Sequence, residues 1–132
     1  MNKIFENVCI TGAGNGIGQA IAIAMSKEGY NVICADINFE EAEKTVEIIS
    51  SHNGSGLAIK TDVTNVEDIK DMVNKVVEQF GSLDVMVNNA GVTRTSSIMD
   101  LDEKDWDWIH NVNAKGTFFC LQTAANQMIK QE

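Results

Sequence analysis

Short apolar runs alternate with longer segments of helical period along the chain, and this alternation constrains the fold more than any other feature of the sequence. Four runs rich in β-branched residues are predicted to be strands, namely Val8–Thr11, Asn31–Asp36, Leu57–Val63 and Leu83–Asn88. Helices are predicted near Gly16–Glu28, Phe39–Ser51 and Val66–Phe80. Units of this kind place strands in a parallel sheet with right-handed crossovers. The sequence therefore predicts an α/β fold, a doubly wound parallel sheet in the strand order 3-2-1-4 with helices on both faces.

Polar residues mark where the helices are expected to begin. In a capping box, a side-chain oxygen accepts a hydrogen bond from a free backbone N–H of the first turn. Three pairs have that spacing: Asn38 with Glu41, Thr64 with Glu67, and Asp100 with Glu103. The last pair is predicted to open a long helical stretch, in which Trp106 and Trp108 point to different sides as packing residues. Glycines are expected to end the three earlier helices, at Gly29, Gly54 and Gly81.

The composition fits one soluble globular domain over residues 1–132. Hydrophobic residues make up 44% of the 132-residue chain and charged residues 22%, which is typical of a single layered core. The formal net charge of −9 repels nucleic acid and anionic membrane surfaces, so neither is expected as a partner. No stretch of 18 uncharged apolar residues occurs, and we expect a cytoplasmic protein without a membrane span.

The cysteines and histidines suggest neither disulfides nor a metal site. Cys9, Cys34 and Cys120 each lie in an apolar segment and form no C-x-x-C pair, which predicts reduced thiols packed as small hydrophobic side chains. His52 and His110 have no second His or Cys at ligand spacing. No metal is expected.

The segment Thr11-Gly12-Ala13-Gly14-Asn15-Gly16-Ile17-Gly18 lies between the first predicted strand and the first predicted helix. It fits the pattern G-x-x-x-G-x-G. Glycines allow a tight turn and a close backbone approach to a pyrophosphate, and the helix N-terminus favours its negative charge. A structural loop is the alternative. The position after a strand and before an Ala-rich helix favours a Rossmann-type dinucleotide site formed by Thr11, Gly12, Asn15, Gly16, Ile17 and Gly18.

Asp36 closes the second predicted strand, where an acid can accept hydrogen bonds from the adenosine ribose hydroxyls. An Asp that only caps the next turn is the alternative. A carboxylate here would also repel a 2′-phosphate, and neither Asn15 nor Ile37 supplies a basic group to neutralise one. The expected cofactor is therefore NAD rather than NADP.

Four motifs in register resemble the short-chain dehydrogenase/reductase family. They are TGAGNGIG at 11–18, Asp62-Val63 at the end of the third strand, Asn88-Asn89-Ala90-Gly91 after the fourth, and WDWIHNVNAKGTF from Trp106. The resemblance covers essentially the whole chain. It implies an oxidoreductase that acts on a secondary alcohol or carbonyl of a small-molecule substrate, such as a polyol, a sugar, a diol or an oxoacyl thioester.

The resemblance also implies roles for individual residues. Asp62 and Val63 would flank the adenine. The adenosine side would be lined, and the sheet braced, by Asn89, Ala90 and Gly91. Polar side chains that end an apolar strand lie at the ligand-binding edge of such sheets, although they also satisfy loop backbone.

Asn113, in the V-N-x-x-G stretch, matches the asparagine that holds the family's proton-relay water, and it is the one candidate catalytic residue. An exposed Asn, or one bonded to its own helix, would look the same in sequence. Arg94 is expected to be a solvated loop residue.

Family members extend well beyond this length, and their further part supplies a catalytic Ser and a Tyr-x-x-x-Lys pair. The only tyrosine here, Tyr30, precedes the second strand. We therefore expect a truncated cofactor-binding half that is inactive by itself. Two interpretations stay open: part of an active oxidoreductase, or a non-catalytic nucleotide-binding or pairing module. Family members commonly pair through the long helix that ends this chain. The fourth strand would also have an unpaired edge, so we expect a homo-oligomer or self-association.

Overall fold

The computed structural model describes residues 5–132, which contain one parallel sheet. Its strands are β1 (Asn7–Thr11), β2 (Asn31–Asp36), β3 (Ser55–Lys60) and β4 (Val85–Val87). They lie in the order β3-β2-β1-β4, and each neighbouring pair is parallel. The predicted strand order is confirmed.

Helices cover both faces of the sheet, as predicted. They are α1 (Gly16–Lys27), α2 (Phe39–Ser51), α3 (Val66–Phe80), α4 (Glu103–His110) and α5 (Thr117–Lys130), with a π-helical segment, Asn111–Gly116, joining the last two. One core lies beneath α1 and α2 and includes Ile10, Val32, Cys34, Ala42 and Ile49. The other lies beneath α3 and α5 and includes Ile33, Ile59, Met72, Val76 and Cys120.

The strand register brings the carboxyl ends of the strands to one edge. Thr11 pairs with Ala35, Ala35 pairs with Ile59, and Ile10 pairs with Val87 on the other side of β1. In open parallel sheets, ligands bind outside this edge, at the point where the strand order reverses. That point lies here between β1 and β4.

Strands β3 and β4 end earlier than predicted. β3 stops at Lys60 because Asp62 Oδ1 accepts hydrogen bonds from Thr64 N (2.9 Å) and Thr64 Oγ1 (2.7 Å), which turns the chain away from the sheet. β4 stops at Val87, where Asn89 N turns back to donate to Val87 O at 3.1 Å. The first difference arises from a polar side chain at the carboxyl edge, and the second from a backbone turn.

The predicted cap is correct at α2 and displaced by one residue at α3. Asn38 Oδ1 accepts a hydrogen bond from Glu41 N at 3.3 Å. At α3 the cap is Asn65, whose Oδ1 accepts from Glu67 N at 3.0 Å. The Thr64 hydroxyl instead donates to Asp62 Oδ1 in the preceding turn.

Two further helix ends differ in part from the prediction. The cap of α4 is Asp102, which accepts a first-turn N–H at 2.7 Å, and not Asp100. After α2, the left-handed position belongs to Asn53 (φ 64) rather than Gly54. Gly81 ends α3 with φ 87, as expected for a glycine after a helix.

The cysteines are buried free thiols, as predicted. Burial raises the pKa of Cys34 to about 12, with a smaller contribution from the Asp36 charge, and raises the pKa of Cys120 to about 11. Burial also raises the pKa of Cys9. Within residues 5–132, no helix has the length and apolar character needed to cross a membrane. The same residues contain no group of three or more His, Cys, Asp or Glu able to hold a metal ion.

Candidate functional site

A cleft of about 470 Å³ lies at the carboxyl edge of the sheet, next to the glycine-rich turn. It is lined by Thr11, Gly12, Asn15, Ile17, Ala35, Asp36, Ile37, Thr61, Asp62, Val63, Asn89, Ala90, Gly91, Val92, Trp108 and Val112. Of the predicted site residues, three lie outside this lining: Gly16, Gly18 and Asn113. The sequence did not assign six of the lining residues to the site: Ala35, Ile37, Thr61, Val92, Trp108 and Val112.

The glycine-rich turn places the N-terminus of α1 at the cleft. Asn15 precedes the helix in an extended conformation, and its side chain makes no capping hydrogen bond. The first turn of α1 has no acidic residue, whereas the first turns of α2, α3 and α4 have two each. Backbone N–H groups and the positive end of the helix dipole therefore remain available to an anion such as a phosphate.

Glycine is required in this turn for two different reasons. Gly12 (φ 66) and Gly16 (φ 54) have left-handed backbone conformations, which other residues rarely adopt. Gly18 is needed because a Cβ there would lie 2.2 Å from the carbonyl oxygen of Gly12. Gly18 therefore supports the turn from beneath and does not line the cleft.

Asn89 ties the loop after β4 to the turn after β1. Its Nδ2 donates hydrogen bonds to Thr11 O (3.1 Å) and Gly12 O (3.2 Å). Thr11 Oγ1 in turn accepts from the backbone N–H groups of Asn89 (3.1 Å) and Ala90 (3.0 Å). The neighbouring Asn88 Oδ1 is buried and has no hydrogen-bond partner among the described residues. These bonds brace one wall of the cleft.

Asp36 lies at the rim of the cleft, where two backbone N–H groups hold its carboxylate. Gly14 N donates to Oδ2 at 2.8 Å, and Asn38 N donates to Oδ1 at 3.0 Å. A carboxylate can accept about four hydrogen bonds, so ribose hydroxyls could still bind. The described lining residues include no Lys or Arg. A negative group beside Asp36 would therefore be repelled, with no neighbouring cation to offset the repulsion.

Thr61, which directly follows β3, is a cleft residue that the sequence analysis missed. It is 2% exposed, and its hydroxyl has no hydrogen-bond partner in the described part of the chain. A buried polar atom without a partner is costly, and a polar group of a ligand would relieve that cost. The signal that could have found Thr61 is its place at the carboxyl end of a strand, next to Asp62.

Asn113 lies in the π-helical segment beside the cleft and holds the loop after β4. Its Nδ2 donates to Val92 O, and its Oδ1 accepts from Val92 N, both at 2.8 Å. It is therefore not bonded to its own helix through the side chain. Nearby, a Cβ on Gly116 would lie 2.9 Å from Val63 O, so the same segment also packs against the loop after β3. The sequence did not indicate this widened segment, a feature that is frequent at functional sites.

The two tryptophans do not serve as interior packing residues, contrary to expectation. Trp106 is 53% exposed and stacks on His110, with ring centroids 4.0 Å apart, whereas Trp108 is 40% exposed and lines the cleft. The Arg94 guanidinium lies 5.7 Å from the Trp108 ring centroid, and its Nε is 3.3 Å from Asp105 Oδ2. Arg94 is therefore held against α4, and solvent is not its only partner.

The cleft combines three features that fit an adenosine diphosphate group. The α1 N-terminus offers N–H donors, and Asp36 offers acceptors for hydroxyl groups. Apolar walls suited to a flat base are provided by Ile37, Val63, Ala90 and Val112. The partnerless Thr61 hydroxyl and the close approaches at Gly12 and Gly18 agree with a site built for a bound polar group. The residues present thus fit a dinucleotide cofactor.

A more open groove of about 1050 Å³ runs along the free edge of β3. Side chains from α2 and α3, such as Phe39, Lys75 and Glu78, form its sides. None of the predicted site residues is among its described lining residues. We therefore place the candidate site in the cleft at the carboxyl edge.

Known proteins are similar to this chain in sequence and in fold. The profile of a family described as short chain dehydrogenase matches residues 6–132. A relative from Staphylococcus aureus, named 3-oxoacyl-acyl-carrier-protein reductase FabG, is 42% identical over 133 residues, which cover 98% of this chain and 53% of the relative. A short-chain dehydrogenase/reductase from Armillaria gallica is 40% identical over 124 residues, covering 92% and 48%.

A solved structure of a short-chain type dehydrogenase/reductase has a similar fold. The crystal structure of a short-chain type dehydrogenase/reductase from Mycobacterium marinum superposes with a TM-score of 0.93 at 28% identity, covering 96% of this chain and 51% of the other. The chain thus spans about half the length of the relatives it matches.

Proposed function

The chain belongs to the short-chain dehydrogenase family, and from this premise we propose that it is the cofactor-binding part of an NAD(H)-dependent oxidoreductase. The family works with a nicotinamide cofactor, which supplies or accepts the hydride when it is bound. The substrate would be a secondary alcohol or carbonyl of the polyol, sugar, diol or oxoacyl class. The name of the Staphylococcus aureus relative favours the oxoacyl class among these.

The observation that carries the proposal is the pairing of the α1 N-terminus with Asp36 at one cleft. The uncapped first turn of α1 would bind the pyrophosphate through backbone N–H groups. Asp36 would accept hydrogen bonds from the ribose hydroxyls, and charge-assisted bonds of this kind contribute roughly 1.5–3 kcal/mol each. This chain would thus bind and orient the adenosine half of the cofactor.

The cofactor proposed is NAD rather than NADP, because the carboxylate of Asp36 would face a 2′-phosphate. Like charges brought together in this way cost several kcal/mol. A tight NADP site would need a cation at this rim, and the described lining residues offer none. Preference for NAD is therefore expected even though both cofactors share the pyrophosphate.

Titration calorimetry of NAD⁺ and NADP⁺ on three proteins tests the proposal. The unaltered chain should bind NAD⁺ more tightly, and Asp36→Asn should narrow the difference by about tenfold or more. Asp71→Asn is the matched control, because Asp71 is exposed on α3 and its replacement changes the net charge equally. Equal affinity of the unaltered chain for both cofactors would refute NAD selectivity, and no binding of either would refute the proposed site.

We further propose that the 132-residue chain binds the cofactor without turning over a substrate. Proton transfer to or from the reacting oxygen needs a positioned acid or base. The ionisable side chains in the described lining are Asp36 and Asp62, which are assigned to the ribose and adenine. The family role of Asn113, holding a relay water, stays a proposal, and its side-chain amide does not act as a general acid or base at neutral pH. Oxidation or reduction of NAD(H) with polyols, diols or ketones would contradict this.

Self-association is also proposed. β4 is an edge strand of the sheet in the described chain, and α5 exposes three large apolar side chains, Phe118, Leu121 and Ile129. Exposed edges and apolar patches favour pairing with a second copy. Light scattering should show species larger than a monomer, and Phe118→Glu should shift them toward the monomer.

A further inference from the structure

The peptide group between Ala13 and Gly14, in the glycine-rich turn, is held at both polar ends. Its carbonyl oxygen, on Ala13, accepts a hydrogen bond from Thr45 Oγ1 at 2.9 Å. Its N–H, on Gly14, donates to Asp36 Oδ2 at 2.8 Å. One planar peptide unit therefore connects a hydroxyl on α2 with the carboxylate at the end of β2.

The Thr45 hydroxyl is well placed for this contact. Thr45 is fully buried, and its hydroxyl carries a single proton. The alternative acceptors, Gly14 O (3.4 Å) and Glu41 O (3.3 Å), are farther away than Ala13 O. Gln19 Nε2 donates to the hydroxyl oxygen at 3.0 Å, which leaves its proton for Ala13. Hydrogen bonds in series polarise a peptide, so the Gly14 N–H becomes a better donor to the carboxylate.

The peptide between Ala13 and Gly14 is closely packed against Asp36. A Cβ at Gly14 would lie 2.8 Å from Asp36 Oδ2 and 2.7 Å from Glu41 Cβ, so only glycine fits. A rotation of the peptide plane would therefore withdraw the N–H from the carboxylate. Asp36 would then keep only the bond from Asn38 N.

We infer that Thr45 is a positioning residue for cofactor choice. Through the peptide between Ala13 and Gly14, it fixes the orientation of the Asp36 carboxylate and so sets the preference for NAD over NADP. The inference rests on the proposed function, in which Asp36 accepts the ribose hydroxyls. Without the Thr45 hydroxyl, the Asp36 carboxylate is less firmly oriented. NAD⁺ then loses a fixed acceptor for its ribose hydroxyls, and the 2′-phosphate of NADP⁺ is repelled less, because the carboxylate can rotate away from it.

The test measures the dissociation constants of NAD⁺ and NADP⁺ for Thr45→Val and Thr45→Ser by calorimetry. Valine keeps the shape and removes the hydroxyl, so it should narrow the NAD⁺ preference by about 3- to 10-fold. Serine keeps the hydroxyl and should retain the preference. Thr123→Val, on α5 and outside the cleft, is the matched control and should leave both constants unchanged.

A double-mutant cycle separates positioning from a general loss of structure. In the Asp36→Asn background, Thr45→Val should produce no further change in the ratio of the NADP⁺ and NAD⁺ dissociation constants. The reason is that Asp36, the residue through which Thr45 acts, has lost its charge. An undiminished effect in that background would overturn the inference, as would an unchanged ratio in Thr45→Val alone.

A second variant covers the case in which circular dichroism shows Thr45→Val to be unfolded. Gln19→Met removes the donor to the Thr45 hydroxyl from a partly exposed position, and it should narrow the ratio in the same direction. An unchanged ratio in Gln19→Met would then overturn the inference. Failure of the unaltered chain to bind either cofactor is a different outcome, because it rejects the proposed function and removes the basis of this inference.

Discussion

Replacing Gly18 with alanine isolates the close packing on which the glycine-rich turn depends. Gly18 does not have a positive φ, so the substitution adds no backbone strain of that kind. A Cβ there would lie 2.2 Å from Gly12 O and 2.5 Å from Asn89 Nδ2, whereas real Cβ contacts essentially never fall under 3.0 Å. Overpacking of this kind costs roughly 1–3 kcal/mol. Displacing Gly12 O also weakens its hydrogen bond to Asn89 Nδ2, which contributes roughly 0.5–1.5 kcal/mol.

We therefore expect Gly18→Ala to lower the free energy of unfolding by roughly 1.5–4.5 kcal/mol. If about 1.4 kcal/mol of this cost falls on the bound turn, NAD⁺ binding weakens about tenfold. Urea unfolding followed by tryptophan fluorescence, with calorimetry for NAD⁺, measures both. Gly56→Ala in β3 is the control, because its Cβ would meet the Val46 methyl groups at an ordinary 3.4 Å. It should change the free energy of unfolding by about 0.5 kcal/mol or less. A Gly18→Ala protein as stable as this control, with unchanged NAD⁺ affinity, would refute the packing argument.

Two further predictions concern the neighbouring loop and the thiols. Asn113→Asp would replace the donor to Val92 O with a carboxylate oxygen, so the free energy of unfolding should fall by about 0.5–1.5 kcal/mol and hydrogen exchange at the Val92 amide should quicken. Asn126→Asp, at an exposed position of α5, should change neither. The buried thiols have pKa values raised above their ordinary 9.0, to about 12 at Cys34 and about 11 at Cys120, so their contribution to stability is complete below pH 9 and is lost as the pH rises from 9 toward these values. Unfolding midpoints that stay constant from pH 8 to 11 would contradict this.

Helices could be predicted because their signals are local, and the strand order could be predicted because parallel strands are joined by right-handed crossovers. The bounds of α2 and α3 are as predicted, since the apolar stripe that includes Ile69, Met72 and Val76 fixes one buried face. The strand ends were less predictable. Val63 has the character of a strand residue, but the hydrogen bonds that Asp62 makes with Thr64 turn the chain before it.

The features missed at the site depend on contacts between distant segments. Asn113 could be singled out from its motif, but its pairing with Val92 depends on how the last helix crosses the loop after β4. Thr45 resembles any mid-helix threonine in the sequence, and its contact with Ala13 exists only once α2 packs against the turn. Trp108, on α4, lines the cleft together with Gly91 and Val92 of the loop after β4. Helical spacing alone showed only that it points away from Trp106.

A net negative charge is compatible with the proposed binding of a pyrophosphate, because the acidic residues are unevenly distributed over the chain. A net charge of −9 argues against a polyanion that would cover a large part of the surface. A single pyrophosphate instead responds to the field within a few ångströms of one helix end, since salt screens exposed charges beyond about 8–10 Å. Acidic residues occupy the first turns of α2, α3 and α4, where they offset the helix dipole, and are absent from the first turn of α1. Asp36, which is bonded to the glycine-rich turn, has both oxygens held by backbone N–H groups, and its remaining lone pairs can still accept hydrogen bonds from hydroxyl groups. In the proposed function, this local arrangement would admit a pyrophosphate and would disfavour an additional phosphate on the ribose.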